Sequence, residues 1–289
     1  MSVTNLAVVN DQIQKFWAPI FMKELRESLL LGALVNKDYK GSIQKLGDEV
    51  TISQLNAPQG ELRTAGVDAD SFGSETMTLK EVKLKANKRA VASFDIEELV
   101  DIQSQLGAQE SEIRNALRFA VDKQINDYLY SLVSPSTSAP DHLLASTAAY
   151  NATTHLSVRK LAAKARWLKD KGWWTLLDPL YYNDMLGATT MTSSDFVGDD
   201  TPVVGGQIAK QRFGFNILED NSLDQATEGY GLIFHPDFMN LAMQMEPRFK
   251  LSDQHANKKF AYVLSCDLIF GAALGIDGDK KHIVVKAAA

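Results

Sequence analysis

Between residues 57 and 76 the chain reads APQGELRTAGVDADSFGSET, rich in Gly, Asp and Ser and poor in large apolar groups, so this stretch has little with which to build a core. The flanks alternate instead. Glu49, Thr51 and Ser53 interleave with Val50 and Ile52 on one side, and Val82, Leu84 and Ala86 with Lys83, Lys85 and Asn87 on the other, which predicts two strands. The simplest fold for this pattern is a long excursion on a two-stranded base. Such a ribbon is marginally stable alone in water and persists by lying on another surface. Any fold for this chain must therefore accommodate material that a compact monomer does not use.

The remaining segments predict a mixed protein. Residues 1–47 read as an arm with a short helix: Pro19 suits a first helical position, Ile20, Phe21, Leu25 and Leu29 form a stripe, and Gly32 and 36–41 end it. Residues 108–133 give the strongest helical pattern, with Ile113, Leu117, Val121, Ile125, Tyr128 and Leu132 on one face, about 40 Å of helix at the usual rise. SPSTSAP (134–140) stops it. A second helix is expected from Ser157 to Lys171, closing at Gly172 with Arg166, Lys169 and Lys171 near its end. TLLDPLYYNDML predicts a strand, a turn at Asp178 and Pro179, and a short helix, while 187–206 reads as a mobile surface loop. Gly231–Phe234 reads as a buried strand and Phe238–Met245 as a further segment or short helix. Phe260, Tyr262, Leu264, Cys266, Leu268 and Phe270 alternate along a strand apolar on both faces, hence central in a sheet, broken by Gly271 and Gly275. A last strand is expected at His282–Lys286.

Composition narrows the function. One cysteine, Cys266, forbids an intrachain disulfide and a multi-cysteine metal site. A net charge of −6 lacks the basic footprint of a sequence-reading DNA binder. Hydrophobic residues at 45% exclude a disordered chain, no run is long enough for a membrane helix, and the N-terminal residues lack signal-peptide character. The expectation is a folded, soluble, intracellular protein. There is no Walker loop, no G-x-S-x-G elbow and no H-E-x-x-H spacing. The five histidines (142, 155, 235, 255, 282) read as surface or capping residues, and Cys266 as core. Asp195, Asp199 and Asp200 read as solvating a loop, and Asp277-Gly-Asp279 lacks the remaining ligands of a calcium loop. Trp167, Trp173, Trp174, Tyr181 and Tyr182 read as core aromatics. The basic strip Lys80, Lys83, Lys85, Lys88 and Arg89 fits two readings equally, a lysine-protected edge or a surface that docks on an acidic neighbour. No catalytic, cofactor-binding or metal residues are expected, so the chain reads as a non-enzyme.

The order of arm, polar ribbon, long helix, mixed region and returning strand resembles the major capsid proteins of tailed double-stranded DNA bacteriophages, which share the Hong Kong 97 capsid fold. The phrases GDEVTI, VDKQINDYLYSLV, VVGGQIAKQRFGFNILEDNSL and GLIFHPDFMNLAM are similar to stretches in these coats. The resemblance implies an α+β fold with an N-terminal arm (1–47), an extended E-loop (48–95), a peripheral domain (96–155) with spine helix 108–133, an axial domain (156–258) and closing strands (259–289). It implies self-assembly through hexamers and pentamers into an icosahedral shell in the virion, formed in the host cytoplasm around double-stranded DNA with no sequence-specific contact and no membrane. The spine begins too early to leave room for a fused scaffolding domain, so a separate scaffolding protein is expected, with a portal protein and room for a decoration protein. Subunit contacts are expected from Trp17, Ile20, Phe21, Leu25 and Leu29 on the arm and from Arg63, Phe72, Lys80, Lys83, Lys85, Lys88 and Arg89 on the ribbon. The alternatives are an encapsulin-like compartment shell, a cytoplasmic α+β enzyme with a substrate loop at 187–206, and another virion component such as a tail protein.

Overall fold

A computed structural model describes residues 26–27, 29–39, 49–64, 74–97, 110–133, 143–144, 149–197, 203–208, 211–223, 229–254, 257 and 260–286. The contact candidates Trp17, Ile20, Phe21, Leu25 and Phe72 lie outside the described residues, as do His142, His255, Asp199 and Asp200. In chain order the elements are α1 (Leu31–Leu34), β1 (Glu49–Leu55), β2 (Leu79–Lys85), β3 (Lys88–Glu97), α2 (Glu110–Leu132), β4 (Leu143–Leu144), α3 (Ala152–Lys164), β5 (Trp173–Leu177), α4 (Pro179–Gly187), α5 (Thr189–Thr192), α6 (Ser194–Val197), β6 (Val203–Val204), β7 (Gln207–Ile208), β8 (Phe215–Glu219), β9 (Tyr230–Phe234), β10 (Met239–Met243), β11 (Arg248–Asp253), β12 (Ala261–Leu274) and β13 (His282–Lys286). They fall into two compact units, a smaller one from Val91–Val121 and Pro247–Asp267 with Arg26, and a larger one from Glu27–Ala90, Asp122–Glu246 and the chain from Leu268.

The larger unit is organised by a five-stranded mixed sheet in the order β4-β13-β9-β5-β8. Central β9 is buried at every position, which is why its sequence, YGLIF, is apolar throughout instead of alternating. Val158 and Ala162 of α3, Tyr181, Tyr182 and Met185 of α4 and Met191 of α5 share one core with Trp173, Phe215, Ile233 and Val285 of the sheet. Asp178 caps α4 by accepting from the Tyr181 N–H at 2.9 Å, with Pro179 in the first turn. The expected helix from Ser157 to Lys171 is displaced. It begins at Ala152 because Asn151 accepts the Thr154 N–H at 3.0 Å, and it ends at Lys164, since Arg166 takes a left-handed φ of 59°. Beyond that turn Trp167 is buried, its indole donating to the Lys280 carbonyl at 2.5 Å. The expected mobile loop at 187–206 is also corrected. Where described, it contains α5, α6 and a β6–β7 hairpin turned by Gly205 and Gly206 at φ 59° and 79°, with Met191 fully buried as its anchor.

The ribbon belongs to this unit. β1 and β2 pair antiparallel from Glu49↔Lys85 to Leu55↔Leu79, and Asn56 extends the ladder to the Thr78 carbonyl at 3.1 Å. Its root is packed: Leu84, Ala86 and Ala242 form a small core joined by Val50, Ile52, Ile269 and Ala273. Gly271 does not break its strand as the pattern suggested. β12 runs 14 residues through it, and the glycine is needed because a Cβ there would overlap the Lys85 carbonyl at the ribbon's root. β10 pairs with β12 from Met239↔Leu274 to Met243↔Phe270.

In the smaller unit β11 pairs with β12 from Arg248↔Asp267 to Asp253↔Tyr262, and Arg248 grips Asp267 with two bonds of 2.6 and 2.9 Å. The Arg114 guanidinium sits 5.4 Å from the Phe249 ring, and Arg26 lies 5.0 Å over Phe119. β3, which the alternation did not separate from the ribbon, is a distinct strand paired with β12. The long helix expected over 108–133 occupies Glu110–Leu132, with Leu117, Val121, Ile125 and Leu129 buried. No helix among the described residues is long and apolar enough to cross a membrane.

Candidate assembly surfaces

The ribbon carries most of the described contact candidates, and the structure shows what their charges meet. Lys83 and Lys85 both reach Glu49, at 2.9 and 2.8 Å, and these ammonium groups, Lys85 first, hold the Glu49 carboxyl down to about 2. Lys80 lies 3.0 and 3.1 Å from the two oxygens of Asp277, whose left-handed backbone (φ 53°) presents them. Lys88 stands 5.3 Å over the Tyr128 ring, and Arg63 pairs with Glu61 at 3.0 Å. Arg89 is exposed, and Leu29 is half-buried ahead of α1. Much of the strip's charge is thus engaged within its own chain. The ribbon also leaves large apolar side chains uncovered: Leu55, Leu62, Met77 and Leu79 are 54, 101, 70 and 52% exposed, and Leu55 faces Leu79 across the ladder. Exposed apolar groups gathered on one feature mark an interaction surface. Sequence reading passed over these four; the signal was an apolar residue at each end of a polar excursion.

The chemistry-bearing residues are built into the scaffold. Asp170, His235 and Asp237 form the one group with metal-ligand spacing among the described residues. His235 Nδ1 accepts the Asp237 backbone N–H at 3.2 Å, which leaves its Nε2–H to donate to Asp170 at 3.1 Å. Lys171 closes on Asp237 at 2.9 Å, so both ring nitrogens and the positive charge are already used. The arrangement does not fit a cation. Asp195 is exposed. Three histidines expected at surface or capping positions, His155, His235 and His282, are buried, although His235 also caps a turn; His282 Nδ1 meets the Gly278 carbonyl at 2.8 Å. Cys266 is buried in β12. Tyr130 donates to Asp220 at 2.6 Å, and Ser222 donates to the same carboxylate at 2.9 and 2.6 Å; burial, then Asp220, pushes the Tyr130 phenol well up. That pair ties α2 to the end of β8. Trp167 and Trp173 meet edge to face at 5.8 Å, and Tyr150 lies 5.5 Å from Tyr181, so these aromatics are core.

Residues 75–285 match the family model described as phage capsid protein. Among solved structures, the chain is similar to one from Mycobacterium phage Che8 (17% identity, 98% of each chain, TM-score 0.75). It is also similar to the capsid asymmetric unit of cyanophage Pam1 (14% identity, 99% of each chain, TM-score 0.70) and to the capsid of cyanophage P-SCSP1u (14% identity, 97% of this chain and 94% of that one, TM-score 0.69). At such identities the likeness establishes a shared fold, the Hong Kong 97-like capsid fold. No curated protein matches it by sequence.

Proposed function

The chain belongs to the phage capsid protein family and is a major capsid protein, and from that premise we propose that it assembles through hexamers and pentamers into an icosahedral shell around double-stranded DNA. The observation that carries the reading is coverage: the family model takes in 75–285, and the likeness to the cyanophage Pam1 capsid takes in 99% of the chain, ribbon and body together. Its place is the virion, and we assign assembly to the host cytoplasm. The segments act in the order the resemblance gave them, arm 1–47, E-loop 48–95, peripheral domain 96–155, axial domain 156–258 and closing strands 259–289. Contacts come from the arm residues Trp17, Ile20, Phe21, Leu25 and Leu29, and from Arg63, Phe72, Lys80, Lys83, Lys85, Lys88 and Arg89 of the ribbon. The ribbon's uncovered leucines support this, because a subunit with an apolar extension is completed by a neighbour, and a ribbon laid on the next copy is the heterologous contact that closed rings require.

A separate scaffolding protein, a portal and, where present, a decoration protein complete the proposal. Because the subunit carries −6, the shell holds DNA without condensing it, and a separate motor drives the genome in. Negative-stain microscopy of the expressed chain, with and without a scaffolding partner, tests the reading. Closed shells of uniform size are the expected result. A monodisperse monomer or dimer under both conditions overturns it, and rings or tubes would mark a tail component. Tight, steeply salt-dependent DNA uptake by empty shells would contradict the passive role given to the subunit.

A further inference from the structure

A cavity of about 540 Å³ opens on the larger unit between α3 and the chain entering β5 and β8. Trp173 and Phe213 give it an aromatic wall, and Arg159, Lys169 and Lys171 ring it. Its one acid, Asp170, is held by His235, and Lys171 is held by Asp237. Two cations remain. Lys169 stands 5.9 Å over the Trp173 ring, and Arg159 is exposed, with neither hydrogen bond nor ion pair among the described residues. Gly172 and Gly214 line the cavity at φ 74° and 92°, a conformation that keeps side chains out of its walls. The result is a concave, cationic and aromatic site on a chain of net charge −6.

We propose that this cavity receives the segment SDFVGDD (194–200) of a second copy of the chain, with its carboxylates on Arg159 and Lys169 and Phe196 against the Trp173 and Phe213 wall. This rests on the coat reading, which sets copies side by side. Asp195, Asp199 and Asp200 concentrate three negative charges beside one aromatic, the complement of the cavity. Asp195 is exposed and forms no ion pair in its own chain among the described residues, and α6, which bears it, follows α5 with its buried anchor Met191. Size selects a peptide over nucleic acid, since about 540 Å³ holds a few side chains and is too small to admit a duplex. The contact joins two different patches, so it propagates around a ring.

Charge reversal tests it in the full chain. Arg159→Glu with Lys169→Glu, and separately Asp195→Lys with Asp199→Lys and Asp200→Lys, should each cut shell yield by about tenfold or more, and the five substitutions together should restore it. Normal assembly of either set, or no recovery in the combination while all variants melt like the parent chain, overturns the contact. If the unmodified chain forms no shell, the coat reading fails instead, and titration of a 192–202 peptide into purified subunits still decides the contact. Salt-sensitive peptide binding, lost in the Arg159→Glu and Lys169→Glu variant, supports it. Binding of inorganic phosphate or a short DNA duplex without binding of the peptide overturns it.

Discussion

His155 lies buried on α3 with its Nδ1 2.9 Å from the Tyr150 hydroxyl and its ring 4.9 Å from that of Phe215. Burial pushes its pKa down to about 4, against a smaller opposing pull from the Arg212 backbone. An unfolded chain binds this proton near pH 6.5 and the folded chain only near 4, so the stability is fully present above pH 6.5 and is lost as pH falls toward 4. The loss amounts to roughly 3 kcal/mol. Thermal melts between pH 7 and 4.5 should fall accordingly, and His155→Gln should flatten that slope; an unchanged slope in the variant would sink the assignment. Gly271 makes a second residue-scale case. Gly271→Ala forces a Cβ into the Lys85 carbonyl and should cost about 1–3 kcal/mol, read as a lower denaturant midpoint. Neither residue was legible in the sequence. A histidine's polarity suggested the surface, and a strand glycine suggested a break, because the groups that decide both cases come from other parts of the chain.

Among elements, legibility followed periodicity. The paired strands of the ribbon, the long helix and the alternation that became β12 all show in the pattern, since each buries one face at a fixed repeat. The start of α3 did not. Asn151 is one of many polar residues in YNATTH, and only its bond to the Thr154 N–H makes it a cap. Asn151→Ala should cost about 1 kcal/mol, visible as a lower urea midpoint with an unchanged slope; no change would show the helix starting independently of its cap. The stretch 187–206 departs from its composition for a related reason: its Gly, Ser and Thr content describes a loop, while one buried methionine, Met191, makes part of it structure.

At the scale of the whole molecule, the ribbon is folded at its root and uncovered beyond it. Leu55→Ser with Leu79→Ser should leave subunit stability within about 0.5 kcal/mol, since both side chains are already half exposed, yet should sharply reduce shell yield by sedimentation. Replacing 57–76 with an Asn-Gly turn should leave the melt of the body intact and abolish closed shells; a variant that still closes them would remove the ribbon from assembly. The ribbon strands, the long helix, the alternation of β12, the surplus of chain at the ribbon and the family phrases are all legible in the residues, because hydrophobic repeat and composition are local properties. The resemblance adds contact candidates on the arm and, on the ribbon, Arg63, Phe72 and the basic strip. Packing alone reveals that Lys80, Lys83 and Lys85 pair with Asp277 and Glu49 while Leu55 and Leu79 stay half exposed, and that Arg159 and Lys169 border one cavity. A charge or an apolar face is free only relative to whatever packs against it, and those partners come from segments far apart in the chain.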